Sequence, residues 1–174
     1  MKLIIPDPCL VVLIGPSGAG KSTFARTHFR PSEILSSDYC RYLVCDDENN
    51  QAATNDAFEV LHCICARRLR AGKLTVVDAT NVQIGARRPL LALANEYNTP
   101  AVAIVLFLPE ATCHGRNQIR TDRTIPVNAI QFQYEEMCRT LNGLEGEGFS
   151  QVFLLETSDV VAAVQIERQR STIA

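Results

Sequence analysis

Tryptophan is absent from this chain, and phenylalanine and tyrosine bring the aromatic share to only 6%. A surface that grips many nucleotides by stacking bases on aromatic rings is therefore not expected; any nucleic-acid end would be held mainly through its phosphates. An excess of either charge is also missing. Lysine and arginine number 17 against 19 acidic residues, for a net charge of −2. No global field draws the protein to polyanions, so a polyanion site must be a local cluster. No apolar run reaches the length of a membrane span. The N-terminal apolar stretch is broken by Pro6, Asp7 and Pro8 and is not expected to act as a signal peptide. The seven cysteines form no C-x-x-C pair and the three histidines stand apart. That scatter argues against a zinc site and fits small buried hydrophobes in a reducing, cytoplasmic setting.

What is present is an ordinary globular balance, 47% hydrophobic and 21% charged over 174 residues, enough for one domain with a sizeable core. Apolar runs alternate with helical patterns. Leu10–Ile14, "LVVLI", predicts a strand buried on both faces. Further strands are expected at Glu33–Leu35, Leu74–Val77, Ala101–Leu108 and Val152–Leu155. Helices are expected at Lys21–His28, Asn55–Leu69, Glu110–Arg120 and Pro126–Leu141, around Arg88–Tyr97 with its start near Pro89, and finally at Asp159–Gln169. Gly72 ends the second helix, whose last turn carries Arg67, Arg68 and Arg70. The acidic stretch "CDDENN" predicts a solvated loop. Such alternation implies an α/β fold, a five-stranded, mostly parallel sheet with helices on both faces.

Gly15-Pro16-Ser17-Gly18-Ala19-Gly20-Lys21-Ser22 fits G-x-x-x-x-G-K-[ST], followed by Thr23. Its glycines let backbone amides converge on phosphate oxygens, Lys21 reaches the β- and γ-phosphates of ATP, and the Ser22 hydroxyl ligates Mg²⁺. The motif follows a strand and opens a helix, the context it requires. Asp78 closes the apolar "TVVD" run; it either serves the metal's water shell, as a Walker-B acid does, or caps the following turn. Asp38 and Arg41, in "SSDYCR", lie just beyond the second strand. At the carboxyl end of a parallel sheet they would face the phosphate cradle. There Asp38 can take the proton of an acceptor hydroxyl, with Arg41 bracing it. The alternative is a helix start capped by Ser36, Ser37 or Asp38, with Arg41 a solvated i,i+3 partner. Arg116, Arg120 and Arg123 are spaced i, i+4, i+7 and predict one basic helical stripe, either a lid that closes over the γ-phosphate or an exposed basic face.

"GPSGAGKST", "SSDYCR", "DDENNQ", "TVVDATN" and "RNQIRTDR", in that order, resemble the kinase module of bacterial polynucleotide kinase-phosphatase-ligase, an RNA end-healing and sealing enzyme. The similarity runs along nearly the whole chain, and the combination is far more specific than the P-loop alone. The resemblance implies transfer of the ATP γ-phosphate to a 5′-hydroxyl end of RNA or DNA, with Mg²⁺ or another divalent cation. It implies Gly15 to Thr23 as the donor cradle, with Lys21 and Ser22 at its centre, Asp38 as general base and Arg41 as the brace of Asp38 and an acceptor phosphate. Arg116 and Arg120 become lid arginines on the donor phosphates, with Arg123 a weaker counterpart. The family enzyme continues into a metallophosphatase and a nucleotidyltransferase. Neither K-x-D-G nor a histidine-aspartate metal motif occurs here, so residues 1–174 are expected to be one kinase domain, the N-terminal module of a longer polypeptide. Two rivals share the P-loop: a kinase of a nucleoside, sugar or other small acceptor, and a non-enzymatic nucleotide-dependent switch, which needs neither Asp38 nor the lid arginines.

Overall fold

Five consecutive apolar residues cannot sit at a sheet edge without exposing one face, and Leu10–Ile14 accordingly lies at the sheet centre, every residue buried. The computed structural model describes residues 1–121 and 125–170. In chain order the elements are β1 (Lys2–Asp7), β2 (Leu10–Ile14), α1 (Lys21–His28), β3 (Ile34–Ser36), α2 (Ser37–Cys45), α3 (Thr54–Arg70), β4 (Thr75–Asp78), α4 (Ile84–Glu96), β5 (Ala101–Leu106), α5 (Glu110–Ile119), α6 (Val127–Thr140), β6 (Gln151–Leu155), α7 (Ser158–Ala162) and β7 (Gln165–Arg170). The main sheet is parallel throughout, in the order β3-β4-β2-β5-β6. This is the α/β P-loop kinase fold expected from the alternation of elements.

The two faces of β2 feed two cores. Leu10, Val12 and Ile14 pack with Leu61, Cys65 and Leu69 of α3 and Leu90 of α4. Val11 and Leu13 pack with Phe24 of α1, Cys113 of α5 and Ile130 of α6. Burying an apolar side chain of this size stabilises the fold by about 1.5–3 kcal/mol, so the centre strand is fixed from both sides. Its carboxyl end, where the phosphate motif begins, inherits that rigidity.

Several expectations need correction. No helix runs from Asp159 to Gln169: α7 stops at Ala162, and Gln165–Arg170 is a strand paired in parallel with β1 in a separate two-stranded sheet. Ile166 pairs with Leu3 and packs on the second core, while Glu167 forms an ion pair with Lys2. Tertiary pairing thus overrides a helical local pattern. The α4 helix opens at Ile84, with Pro89 inside it. Proline withholds the N–H that the Gly85 carbonyl would receive, a loss eased because both residues are exposed to water. The β5 strand ends at Leu106, before Leu108. Cys9, Cys40, Cys65 and Cys113 are buried as expected, but Cys63 and Cys138 are exposed. Burial pushes the Cys9 and Cys65 thiols up to about 12, which makes them inert packing groups. Among the described residues no helix is long and apolar enough to cross a membrane.

Candidate active site

Four connections leave the carboxyl ends of β2, β3, β4 and β5, and each delivers a group to one cleft of about 510 Å³. From β2 comes the glycine-rich turn into α1. Gly18 has φ +83, and a Cβ there would lie 2.3 Å from the Cys113 carbonyl oxygen of α5. Glycine is required on both counts, backbone hand and space. Gly20, at φ 97, caps α1, so the helix opens at Lys21. The free amides of a helix N-terminus following such a turn form an anion cradle. Lys21 is buried and its Nζ donates to the carbonyls of Gly15 and Pro16, both at 2.8 Å. The Ser17 amide donates to Gln133 Oε1 of α6 at 2.8 Å. Ser17, Gly18, Gly20, Lys21, Ser22 and Thr23 all line the cleft, while Gly15 and Ala19 lie buried beneath.

The β4 strand delivers Asp78, which is buried and takes a hydrogen bond from the Ser22 hydroxyl. Desolvation raises the Asp78 carboxyl above its ordinary value; the Ser22 hydrogen bond and the Lys21 charge partly oppose that shift. A hydroxyl and a carboxylate side by side beneath a phosphate cradle fit Mg²⁺, which keeps several waters and takes one or two protein oxygens plus phosphate oxygens. Among the described residues no three His, Cys, Asp or Glu side chains cluster to hold a metal by themselves. Ser22 and Asp78 are thus the groups able to hold the ion.

The β3 strand delivers Asp38 and Arg41 on α2. The helix-start alternative holds in part. Ser36 does cap the helix, its Oγ accepting from the Tyr39 amide at 3.3 Å. Arg41, however, is buried, not solvated. Its Nη1 donates to Asp38 Oδ1 at 2.6 Å and to the Glu48 carbonyl at 2.8 Å. Its Nε lies 3.4 Å from Thr54 Oγ1. The acidic loop after α2 is therefore anchored by Arg41 at Glu48. Among the described residues, Arg41 Nη2 has no hydrogen-bond partner.

The β5 strand leads into α5 and α6, which cover the cleft from the lid position. Arg116 lies on α5, its Nη1 donating to the Ala19 carbonyl at 3.2 Å and its Nη2 to Ser158 Oγ at 2.9 Å. The continuous arginine stripe does not form. The α5 helix stops at Ile119, and Arg120 is extended with ψ 134. Breaking the helix relieves the repulsion of like charges stacked four apart. Arg116 and Arg120 still both line the cleft; Arg123 lies outside the described residues. Five cations therefore border one space: Lys21, Arg26, Arg41, Arg116 and Arg120.

Residues 10–144 match the family profile of an AAA domain. The chain belongs to that family. Its sheet order and phosphate cradle are those of the P-loop kinase fold. The transcription factor bHLH140 of Arabidopsis thaliana is 31% identical over an alignment of 169 positions, which covers 90% of this chain and 17% of that protein. The Pnkp1/Rnl/Hen1 RNA repair complex contains a chain that matches with TM-score 0.66 and 22% identity, over 79% of this chain and 46% of that one. Shikimate kinase from Acinetobacter baumannii, in complex with shikimate, matches with TM-score 0.55 and 16% identity, over 89% and 88% of the two chains. This chain thus spans only a small part of the plant protein and less than half of the repair-complex chain.

Other lining groups of this AAA domain escaped the sequence. Arg26, Gln51, Thr54, Phe58, Thr80 and Gln133 all border the cleft. Gln51 ends the "DDENNQ" motif, the one signal that pointed near it. Arg87 had no signal: a charged residue of a helix reads as solvated, yet it is 0% exposed. It donates to the carbonyls of Asn81 and Val82 at 2.8 and 2.9 Å and grips Glu147 with two hydrogen bonds of 2.7 and 2.5 Å. That clamp holds the turn bearing Thr80, whose carbonyl accepts the Gly15 amide at 2.9 Å.

Proposed function

We propose that the protein is an ATP-dependent polynucleotide 5′-hydroxyl kinase that phosphorylates RNA or DNA ends during end healing. The observation that carries this reading is the Asp38–Arg41 pair. A carboxylate and a guanidinium 2.6 Å apart share one cleft with the phosphate cradle, and Arg41 keeps Nη2 available for an acceptor phosphate. The motif order shared with the end-healing kinases and the fold shared with a chain of an RNA repair complex support the same reading.

In this account the cradle amides and Lys21 hold the β- and γ-phosphates of ATP. Lys21 first leaves the carbonyls of Gly15 and Pro16. Asp38 orients the 5′-hydroxyl and receives its proton. The hydroxyl oxygen bonds to the γ-phosphorus as the bond from that phosphorus to the β,γ-bridging oxygen breaks, and ADP leaves with the electron pair. Arg116 and Arg120 stabilise charge on the transferring phosphoryl group. Ser22 and Asp78 would hold Mg²⁺, which would supply charge neutralisation at the phosphate oxygens. Arg41 holds Asp38 in place while Nη2 takes the phosphate that follows the terminal nucleoside. Asp38→Asn preserves shape but cannot take the proton, so transfer to a 5′-hydroxyl oligonucleotide should fall about 10²–10⁴-fold with ATP binding retained. Wild-type transfer by this variant would remove Asp38 from the chemistry.

A further inference from the structure

A second cleft, of about 320 Å³, opens between α3 and α4, within the roughly 300–1,000 Å³ range of small-ligand sites. Phe58 is common to both clefts: its side chain borders the phosphate-lined space and this one. One turn along α3 the His62 ring packs against Phe58, with centroids 5.9 Å apart. His62 Nε2 is buried and has no hydrogen-bond partner among the described residues. Buried polar atoms of this kind cost stability unless something meets them. Gly85 and Pro89 of α4 form the opposite wall.

The charges of the two clefts differ. The reaction cleft carries five cations, whereas the second is lined by no lysine or arginine and carries the Glu59 carboxylate. Phosphate is excluded from it. A flat group with apolar faces fits, its faces meeting Phe58 and Pro89. Burial lowers the His62 pKa, which disfavours a further positive charge at this cleft.

We propose that this cleft receives the nucleobase of the acceptor strand's second nucleotide, with Phe58 as stacking surface and the His62 ring packed behind it. The proposal rests on the polynucleotide reading. With the terminal 5′-hydroxyl at Asp38, the terminal nucleoside fills the reaction cleft, and the next base lies beyond Phe58. The phosphates then stay among the arginines while one base is drawn away from them.

Gly85→Leu is the cleanest perturbation. A Cβ at Gly85 meets nothing within 4 Å, and the position is helical, so the variant gains helix propensity and keeps its fold. The side chain fills the cleft. Expected is a rise in KM for a 5′-hydroxyl oligonucleotide on the order of tenfold, the scale of one lost base-stacking contact, with KM for ATP unmoved. His62→Ala should act in the same direction. An abasic second nucleotide should cost the wild-type protein the same factor and cost Gly85→Leu nothing further, since both changes remove one contact. An abasic first nucleotide should remain costly in both proteins. Oligonucleotide turnover that is indifferent to Gly85→Leu and to the second base overturns this inference alone. Turnover of a sugar-like acceptor with none of any oligonucleotide overturns it together with the polynucleotide reading.

Discussion

Arg41→Ala tests whether one buried side chain both builds and operates the acceptor side. Three contributions to stability are lost. The ion pair to Asp38, whose side chain is 33% exposed, is worth about 0.5–1 kcal/mol after solvent screening. The Glu48 carbonyl loses its donor, about 1 kcal/mol. The buried methylene stem contributes about another 1 kcal/mol. The 3.4 Å approach to Thr54 is too long to count. The sum, about 2.5 kcal/mol, corresponds to a fall in Tm of roughly 5–10 °C for a chain of this size. Activity should fall further than that. Loss of a charge-assisted contact to the acceptor phosphate costs about 1.5–3 kcal/mol, or roughly 10–150-fold in kcat/KM. The assay is transfer from labelled ATP at a temperature well below both melting points, with ATP affinity measured separately. The oligonucleotide should lose activity by that factor, while a free nucleoside, which has no internucleotide phosphate, should lose less. Arg41→Lys should be intermediate, since lysine keeps the charge but not the fork. A loss of Tm with equal losses for both acceptors would leave Arg41 a purely structural residue. No change in either quantity would refute the geometry from which the figure was worked.

Lys21→Ala should reduce phosphoryl transfer at least about 10²-fold, with the fold intact by circular dichroism; normal turnover would remove the cradle from the mechanism. Arg116→Ala removes an exposed side chain, so Tm should hold while kcat falls by about 10³–10⁵, the range for an arginine that stabilises the transferring phosphoryl group. A change confined to KM for ATP would make it a ground-state contact instead. For Asp78 the sign follows from its raised carboxyl: the folded pKa lies above the unfolded one, so ionisation opposes folding above about pH 4. Asp78→Asn should therefore raise Tm at neutral pH by about 2–4 °C per kcal/mol regained, lose that advantage on acidification below this pH, and slow metal-dependent turnover. A Tm gain that persists unchanged at pH 3 would point to packing rather than charge.

The central sheet was legible because its strands are buried on both faces, and continuous apolar runs such as Leu10–Ile14 and Ala101–Leu106 admit few other readings. The small sheet was not, because Lys2–Asp7 contains proline and Gln165–Arg170 is mostly polar. Each becomes a strand only when the other is beside it. Asp38, Arg41 and Asp78 were placed at the cleft from chain order alone, since the carboxyl edge of a parallel sheet gathers whatever follows each strand. The arginine spacing misled about local structure, because periodicity assumes a helix that here ends at Ile119. Arg87 and Phe58 were invisible for a simpler reason. Their roles depend on partners 60 residues away in the chain, as with Glu147, or on a wall between two clefts, and no local pattern encodes either.

The most direct measurement compares two acceptors that share a terminal base: adenosine and a short oligonucleotide beginning with a 5′-hydroxyl adenosine, each with labelled ATP and Mg²⁺. The account predicts that kcat/KM for the oligonucleotide exceeds that for the nucleoside by at least about tenfold, and that added salt narrows the gap as counterions compete for the arginines. Equal efficiency on the two acceptors, insensitive to salt, would contradict the polynucleotide assignment and leave a small-molecule kinase.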